Sequence, residues 1–478
     1  MAKIDELIAT LRGIPFETNP KIVAQRSRDF YWYSPVLKRQ LEGVTGEIVV
    51  TPRSEEDVIT ILAACFRLDI PVTPRGGSTG NYGQAMPLSG GVVLDLRNLD
   101  RIIKIMPGCV SVEAGAIIHD IDVATRAHSG QELRMHPSTA RNATIGGFIA
   151  GGSGGVGSIR WGTLRDTGNV ISARVITMEA QPRVLTLTGF DLHKVIHAYG
   201  TNGIITHLDM PLTASYDWVD MLITSSYWSQ LNRFADVLAC QDGLLLKQLC
   251  TIEAPTPHRY FLRHQKYLVA DDHVIVAMVA PHAVSSLEAL CRQERMTISF
   301  RSDTLPESEA RALPPAYELA WNHTTLRAIR MDPLITYLQT LYPNPDHVEK
   351  IVEMSKLFGD EVPGHAEYMR FEGRISCDGI PLVRFTTEER LDAIVRIHEE
   401  HGCPVFNPHR FTLEEGGMKQ TDEVQLAFKR AVDPKGLLNP GKMIAWDNPH
   451  YDFEKAGFYL FPGIKKVEDF ADEIPSLD

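Results

Sequence analysis

Hydrophobic and polar residues alternate in short blocks along the first half of the chain. Runs rich in β-branched residues predict strands at 48–50, 70–73, 91–96 and 110–114. Between the first two runs, Ser54 precedes three acidic residues, a pattern typical of a helix start. Glycine-rich turns separate these elements, so the pattern predicts an α+β domain.

The glycine content and the length of the helical patterns change near residue 215. Runs at 170–178 and 204–210 predict two more strands, and beyond them glycine becomes scarce and helical patterns lengthen. A last segment opens with the run Asp-Pro-Lys-Gly-Leu-Leu-Asn-Pro-Gly-Lys at 433–442 and ends in an aromatic, then acidic tail. We therefore predict three parts, which span residues 1–215, 216–432 and 433–478.

Composition narrows the class of protein. The 478 residues are 44% hydrophobic and 23% charged, as in an ordinary globular protein. The 60 acidic and 48 basic residues give a formal net charge of −12, which argues against non-specific binding to nucleic acid. Seven cysteines without a C-x-x-C pair predict buried free thiols in a reducing compartment. The N-terminal residues predict a helix, not a signal peptide, and no apolar run reaches the roughly 18 residues of a membrane span, so we expect a cytoplasmic protein.

Two glycine-rich segments are the main candidates for ligand binding. The first, residues 75–83, directly follows a predicted strand. Its successive backbone N–H groups could surround a pyrophosphate, with Arg75 as a charge partner, although a plain surface loop is the alternative.

The second glycine-rich segment, residues 144–157, contains a G-x-G-x-x-G match at Gly152, Gly154 and Gly157. In a nicotinamide-binding domain this motif follows a strand and opens a helix. Here Trp161-Gly162 would break that helix, so we interpret the match as fortuitous.

The order of four stretches resembles the FAD-binding domain of the vanillyl-alcohol oxidase and p-cresol methylhydroxylase (PCMH-type) superfamily. These stretches are 71–80, 137–147, 154–166 and 200–206. The run at 433–442 is similar to the ending of the branch that contains glycolate oxidase, D-lactate dehydrogenase and D-2-hydroxyglutarate dehydrogenase.

The resemblance implies a two-part α+β FAD-binding domain and an inserted cap domain, an antiparallel sheet flanked by helices. The first part would be the FAD-binding domain, the second the cap, and the third a return to the FAD-binding domain. Some members bind FAD covalently through a histidine at the position of Thr79, so non-covalent FAD is expected here, and a covalent link in the cap stays open. The residues that the resemblance assigns to FAD are Arg75, Gly76, Gly77, Ser78, Thr79, Gly80, Asn81, Gly83, Pro137, Ser138, Thr144, Gly146, Gly147, Ser153, Gly154, Gly203, Ile204, Ile205 and Asn439.

Oxidation of an alcohol by a flavin requires a base for the hydroxyl proton and a group that holds the substrate's other polar end. The branch has a His-x-Gly-Asp-x-Asn-x-His strand, which residues 364–372 resemble, with His365 at the first histidine. It also has a Gly-Glu-His-Gly-x-Gly segment, which residues 402–410 resemble, with His409 at the histidine. We predict His409 as the general base; a packed structural histidine is the alternative for both.

Two further groups of residues are candidates for the cap chemistry. A divalent metal held by His365, Glu372 and His409 is an alternative to a metal-free base. For a substrate carboxylate the branch has an arginine where this chain has His323 and Thr324, either of which could bind the carboxylate instead. Arg370 is the preferred substitute among four arginines, each of which could instead form a solvated salt bridge. The other three are Arg327, Arg330 and Arg374.

The leading hypothesis is an FAD-dependent enzyme that oxidises the alcohol carbon of a small hydroxy acid such as D-lactate or glycolate, by hydride transfer to flavin N5. Phenolic or aromatic alcohols are the alternative substrates. Other hypotheses are a non-oxidising use of FAD, as in the alkylglycerone-phosphate-synthase-like branch, a flavin subunit that needs partner chains, and a nicotinamide dehydrogenase. The protein could form a homodimer. The sequence does not distinguish oxygen, a quinone, a cytochrome and a flavoprotein as the electron acceptor.

Overall fold

The computed structural model describes residues 2–454 and 458–465, so the acidic end of the predicted tail lies outside the described residues. Among the described residues, no helix has both the length and the apolar composition to cross a membrane. The strands are β1 (Phe16–Glu17), β2 (Ile48–Val50), β3 (Val72–Arg75), β4 (Val92–Asp95), β5 (Ile102–Met106), β6 (Cys109–Glu113), β7 (Gln131–Leu133), β8 (Ser172–Ile176), β9 (Val184–Thr188), β10 (Ile204–Ala214), β11 (Val219–Ser225), β12 (Leu246–Ile252), β13 (His273–Val279), β14 (Thr297–Arg301), β15 (Ile335–Tyr337), β16 (Thr340–Tyr342), β17 (His365–Phe371), β18 (Arg374–Gly379) and β19 (Leu382–Arg384). The α-helices are α1 (Ala2–Thr10), α2 (Pro20–Arg26), α3 (Pro35–Leu41), α4 (Glu55–Leu68), α5 (Ile118–Ser129), α6 (Ile145–Gly151), α7 (Ser158–Trp161), α8 (Trp228–Ala239), α9 (Thr256–Tyr260), α10 (Val284–Gln293), α11 (Glu307–Ala312), α12 (Asn322–Met331), α13 (His347–Phe358), α14 (Glu388–Glu400), α15 (Glu423–Val432) and α16 (Ile444–Asp447).

The first sheet has the order β1-β2-β4-β3, with β4 parallel to both of its neighbours. Helix α4 makes the crossover between β2 and β3, and it begins where the Ser54 hydroxyl accepts a hydrogen bond from the Asp57 N–H at 3.2 Å. Ile61 and Leu62 of α4 pack with the buried side chains of this sheet. Burial of both sheet faces explains why β2 and β4 are continuous runs of apolar residues.

The second sheet is antiparallel, in the order β5-β6-β10-β8-β9, and β7 pairs with the end of β10. Its core joins strand residues such as Val112 and Leu208 to Ile145 and Ile149 of α6. This contact places the glycine-rich residues around α6 against the sheet.

The third sheet lies between Val219 and Gly379 and has the order β14-β11-β13-β12-β17-β18-β16, antiparallel throughout. Alternate residues of β13 enter two different cores, since side chains of a strand point to opposite faces. Ile275 and Ala277 pack with α8, α10, α13 and α14, whereas Val274 and Val276 pack with α9 and α12. The cap is therefore a sheet covered by helices on both faces.

The described chain returns to the FAD-binding part earlier than the predicted residue 433. Helix α14 still belongs to the cap core. Helix α15 does not, because the Lys429 ammonium donates to the Thr201 carbonyl at 2.7 Å and the Met178 N–H donates to the Val432 carbonyl at 2.7 Å. The run at 433–442 marks the turn after this helix and not the domain boundary. The cysteines are free thiols, and Cys240 is exposed where a buried thiol was expected.

Candidate active site

A cavity of about 250 Å³ lies between the FAD-binding part and the cap. Both glycine-rich segments line it. From the cap and the segment that follows it come Trp321, Asn322, Gln339, Ile380 and Phe406. One ligand could therefore contact both domains.

The loop after β3 presents free backbone donors to this cavity. The N–H groups of residues 77–84 have no hydrogen-bond acceptor within the described part of the chain. Ser78 has a φ of 53°, and its buried hydroxyl has no described partner. Arg75 donates through Nη1 to the Arg26 carbonyl at 2.6 Å, while its buried Nε has no described partner. Consecutive unpaired N–H groups beside a guanidinium form a site for an anion such as a pyrophosphate.

Glycines bring the start of α6 against the residue that follows β6. The Gly146 N–H donates to the Ala114 carbonyl at 2.8 Å, and Thr144 caps the helix by accepting from the Gly147 N–H at 3.2 Å. A Cβ on Gly146 would lie 2.6 Å from the Ala114 Cβ, which real side chains do not tolerate. Close backbone contact here needs glycine for steric reasons and not for its φ.

Most residues predicted to bind FAD line the cavity. Gly83 and Asn439 do not line it. The Asn439 amide donates to the carbonyls of Gln84 and Tyr199, at 2.8 and 2.7 Å, and so holds two residues that do. Gly83 lies behind the loop, where its carbonyl accepts from the Lys442 ammonium at 2.6 Å. The lining residues are Arg75, Gly76, Gly77, Ser78, Thr79, Gly80, Asn81, Pro137, Ser138, Thr144, Gly146, Gly147, Ser153, Gly154, Gly203, Ile204 and Ile205.

The G-x-G-x-x-G match lies between two helices. Gly152 ends α6, and α7 is a four-residue helix that stops at Gly162. The strand–turn–helix arrangement of a nicotinamide site is therefore absent from this described segment.

Sequence reasoning missed a buried acid, Asp29, and a buried base, Lys442, beneath the loop. Asp29 lines the cavity, and its carboxylate accepts from the N–H groups of Tyr31 and Ala85 at 2.9 and 3.1 Å. Burial raises the pKa of Asp29, and burial also lowers the pKa of the neighbouring Lys442. Neither residue belongs to a pattern that predicts the other, since they lie at opposite ends of the chain.

His409 is not available as a general base, contrary to the prediction. Its Nε2 donates to the Tyr337 carbonyl at 3.0 Å, so Nδ1 accepts from the Ser34 hydroxyl at 2.7 Å. Burial lowers the pKa of His409 to about 3, and the residue does not line the cavity. It is the packed structural histidine of the alternative reading.

His365 and Arg370 also lie away from the cavity lining. His365 is buried in β17, where its Nε2 donates to Glu367 at 2.8 Å. Arg370 forms a salt bridge with Asp242 at 2.7 Å, and the carboxylate of Asp242 is 83% exposed. Arg370 is therefore a surface residue of the cap and not a substrate ligand.

The predicted metal ligands are not assembled. Glu372 is exposed and pairs with Arg165 at 3.2 Å, whereas His365 and His409 are buried in separate hydrogen-bond groups. Within the described residues, the donor atoms that do lie within 4.8 Å of one another are those of Cys250, His365 and Glu367.

The predicted residue His323 does not line the cavity either, but its chain neighbours Trp321 and Asn322 do. It follows Asn322 in the first turn of α12, and its buried Nδ1 has no described partner. Burial, with a contribution from the charges of Arg327 and Arg330, lowers the pKa of His323 to about 4. At neutral pH its imidazole is therefore uncharged and able to accept a proton. Thr324 is not available, since its hydroxyl donates to the Leu319 carbonyl at 2.7 Å.

A chain of hydrogen-bonded polar side chains at the cap end was not predicted. The Tyr82 hydroxyl donates to the Gln339 amide oxygen at 2.7 Å, and the Gln339 amide nitrogen donates to Asp378 at 3.1 Å. Burial raises the pKa of Asp378 well above its usual range. Tyr33 also lines the cavity.

Comparisons with known proteins agree with this site. Residues 46–186 match a family described as an FAD binding domain. The chain is 24% identical over 445 residues to glycolate oxidase subunit GlcD of Bacillus subtilis, covering 84% of this chain and 89% of that one. It is 31% identical over 445 residues to the mitochondrial D-lactate dehydrogenase [cytochrome] of Arabidopsis thaliana, covering 85% and 74%. It is 32% identical over 428 residues to GlcD of Escherichia coli, covering 83% of both chains.

A solved structure of alkyldihydroxyacetonephosphate synthase also matches, with a TM-score of 0.68 at 14% identity. The match covers 92% of this chain and 85% of that one. At this identity the match establishes a shared fold and does not extend to activity.

Proposed function

Because the chain belongs to the FAD-binding family that includes glycolate oxidase subunit GlcD and D-lactate dehydrogenase [cytochrome], we propose that it oxidises the alcohol carbon of a small hydroxy acid. The observation that supports this proposal is the single cavity that joins unpaired backbone donors in the FAD-binding part to polar residues of the cap. The names of the relatives favour hydroxy acids over phenolic alcohols.

The residues present fit FAD. The N–H groups of residues 77–84 and the buried Arg75 Nε lack acceptors that pyrophosphate oxygens would supply. Gly203 has a φ of 109° and a Cβ there would overlap Val175, which leaves room only for backbone beside the cavity. When bound, FAD supplies a two-electron acceptor for the hydride of the alcohol carbon. Thr79 lines the cavity and has no nucleophilic ring nitrogen, which supports a non-covalent complex.

His323 replaces His409 as the proposed general base. Burial lowers its pKa to about 4, so it is neutral at pH 7. Its chain neighbours Trp321 and Asn322 line the cap end of the cavity, although His323 itself does not. Residues 323, 327 and 330 follow the i, i+4, i+7 spacing of one helical face. Arg327 and Arg330 would thus place positive charge beside the base, where a substrate carboxylate gains from it.

Anaerobic flavin absorbance tests this proposal. The purified yellow protein is mixed with D-lactate, L-lactate, glycolate and a set of aromatic alcohols in separate cuvettes. Bleaching by a hydroxy acid supports the proposal. Bleaching by aromatic alcohols alone contradicts it and favours phenolic or aromatic alcohols as the substrates. Bound flavin that none of them reduces refutes oxidation of both substrate classes.

The same proposal includes a cytoplasmic location and a homodimer. Light scattering coupled to gel filtration measures the mass of the particle, and fractionation of the source cells measures the location. Turnover with oxygen, a quinone, cytochrome c or an electron-transfer flavoprotein then identifies the acceptor.

A further inference from the structure

Trp321 adopts a backbone conformation that residues with a side chain rarely take. Its φ is 51° and its ψ is −148°, a region that glycine occupies almost alone. Trp321 and the next residue, Asn322, both line the cavity at its cap end. The indole Nε1 of Trp321 and the Oδ1 of Asn322 are buried and have no described partner. A strained backbone at this place persists only if its surroundings hold it.

A buried carboxylate holds this backbone. The Trp321 N–H donates to Glu367 Oε1 at 2.6 Å, and His365 Nε2 donates to the same oxygen at 2.8 Å. The side chains of His365 and Glu367 are each 1% exposed. Both lie on β17, which is hydrogen-bonded to β12 on one side and to β18 on the other. The support is therefore part of the rigid cap sheet.

We infer that Glu367, oriented by His365, is a positioning residue for the reaction. Its carboxylate keeps the Trp321 backbone in the strained conformation and thereby keeps the side chains of Trp321 and Asn322 at the substrate end of the cavity. Neither Glu367 nor His365 lines the cavity, so the effect passes through the Trp321 peptide. The kinetic part of this inference rests on the proposed oxidation of a hydroxy acid.

Loss of the Glu367 acceptor has a defined consequence. The Trp321 N–H would be left buried without a partner, and the backbone would relax to an ordinary negative φ. That rotation displaces both cavity-lining side chains from their places. FAD content should not change, because the loop at 77–84 and helix α6 have no bond to Glu367 within the described residues.

Glu367→Leu and Glu367→Gln differ in whether they keep an acceptor for the Trp321 N–H. Leu removes the acceptor at similar volume, whereas Gln keeps an amide oxygen where the Trp321 N–H needs it. We measure the rate and half-saturation of anaerobic flavin reduction by the hydroxy acid, and amide hydrogen exchange in peptides that cover Trp321. Glu367→Leu should reduce the flavin about 100-fold more slowly, the usual effect of a misplacement of about 1 Å, and should exchange faster. Glu367→Gln should stay within about threefold in rate.

Two controls isolate the substrate site. Reduction by dithionite needs no substrate site and should be equal in all variants. Asp122→Leu removes a carboxylate that accepts one backbone N–H, that of Leu133 at 2.8 Å, in the FAD-binding part. Asp122 does not line the cavity, so this variant should reduce its flavin with the hydroxy acid as the unaltered protein does.

Every outcome decides the inference. Reduction at the unaltered rate in Glu367→Leu overturns it, whatever the exchange at Trp321 shows. Slower reduction with unchanged exchange also overturns it, because the effect then does not pass through the Trp321 peptide. If the unaltered protein is reduced by no hydroxy acid, the proposed function fails, while faster exchange at Trp321 in the Leu variant but not in the Gln variant still supports the positioning role. If Glu367→Leu does not fold, Glu367→Asp replaces it, since this change keeps the charge and withdraws the acceptor. Slower reduction in the Asp than in the Gln variant supports the inference, and equal rates overturn it.

Discussion

Gly146→Ala should loosen the FAD site by separating helix α6 from strand β6. The new Cβ would lie 2.6 Å from the Ala114 Cβ and 2.8 Å from the Ala114 carbonyl oxygen. Carbon atoms pack best at about 3.5–4.0 Å, so the helix must move by about 1 Å. That movement would stretch the hydrogen bond from the Gly146 N–H to the Ala114 carbonyl, now 2.8 Å, beyond its limit of about 3.5 Å.

The steric overlap and the lost hydrogen bond together determine how much stability Gly146→Ala loses. Overpacking in a close contact costs about 1–3 kcal/mol, and a lost hydrogen bond costs about 0.5–1.5 kcal/mol. The free energy of unfolding should therefore fall by about 1.5–4.5 kcal/mol. FAD binding needs α6 in its native place while the apoprotein is free to relax. At about 1.4 kcal/mol per factor of ten, the FAD dissociation constant should rise at least about tenfold.

Urea unfolding of the apoprotein and titration with FAD, followed by flavin fluorescence, measure both quantities. Gly243→Ala is the matched control, because no described atom lies within 4 Å of its added Cβ, and its stability should change by less than about 0.5 kcal/mol. Ala114→Gly removes the nearest atom, so the double variant should recover part of the lost affinity. A Gly146→Ala protein with normal unfolding and normal FAD affinity would refute the steric reasoning.

Three further predictions follow from the site. Acid precipitation should release all of the flavin, because Thr79 stands where some family members have the histidine that attaches FAD covalently. Colour left in the pellet would contradict this. His323→Gln should slow reduction by the hydroxy acid at least about 100-fold, while His409→Gln should lower stability and leave the rate per bound flavin within about threefold; the reverse order would restore His409 as the base. Burial lowers the pKa of His409 to about 3, so the unfolded chain takes up this proton first as pH falls. The contribution of the neutral His409 to the free energy of unfolding is complete above about pH 6.5 and is lost as the pH falls toward 3, by up to about 1.4 kcal/mol per pH unit. Urea unfolding of His409→Asn should therefore show a smaller dependence on pH.

Elements with buried faces could be predicted from the sequence. The run at 48–50 coincides with β2, and the Ser54 pattern marks the start of α4. Strands β5 and β9 were missed, and both lie at the edges of the second sheet. Edge strands leave half of their side chains in water, as the exposed residues of β5 and β9 show. Their apolar pattern is therefore too weak to mark a strand.

The cofactor side of the cavity was largely predictable, and the substrate side was not. An added Cβ at Gly76, Gly77 or Gly146 would overlap atoms of Thr144, Asn142 or Ala114, so close packing requires glycine there. The resulting density of glycine is visible in the sequence and marks the FAD loop and α6. The role of a histidine depends on its partners. His409 is bonded to Ser34, which lies 375 residues away in the chain, and no local pattern reveals that bond.

The sequence by itself therefore determined the α+β architecture, which follows from the periodicity of its hydrophobic residues. The order of its glycine-rich motifs indicated the FAD-binding class and the segments that line the cavity, through their resemblance to a known family. Only the tertiary structure decided which histidine is free, that Tyr82 and Gln339 share a hydrogen bond, and that Glu367 holds Trp321 in a strained conformation. The physical reason is that burial and partners from distant segments set the pKa and the orientation of each polar side chain. Those segments meet only in the folded chain.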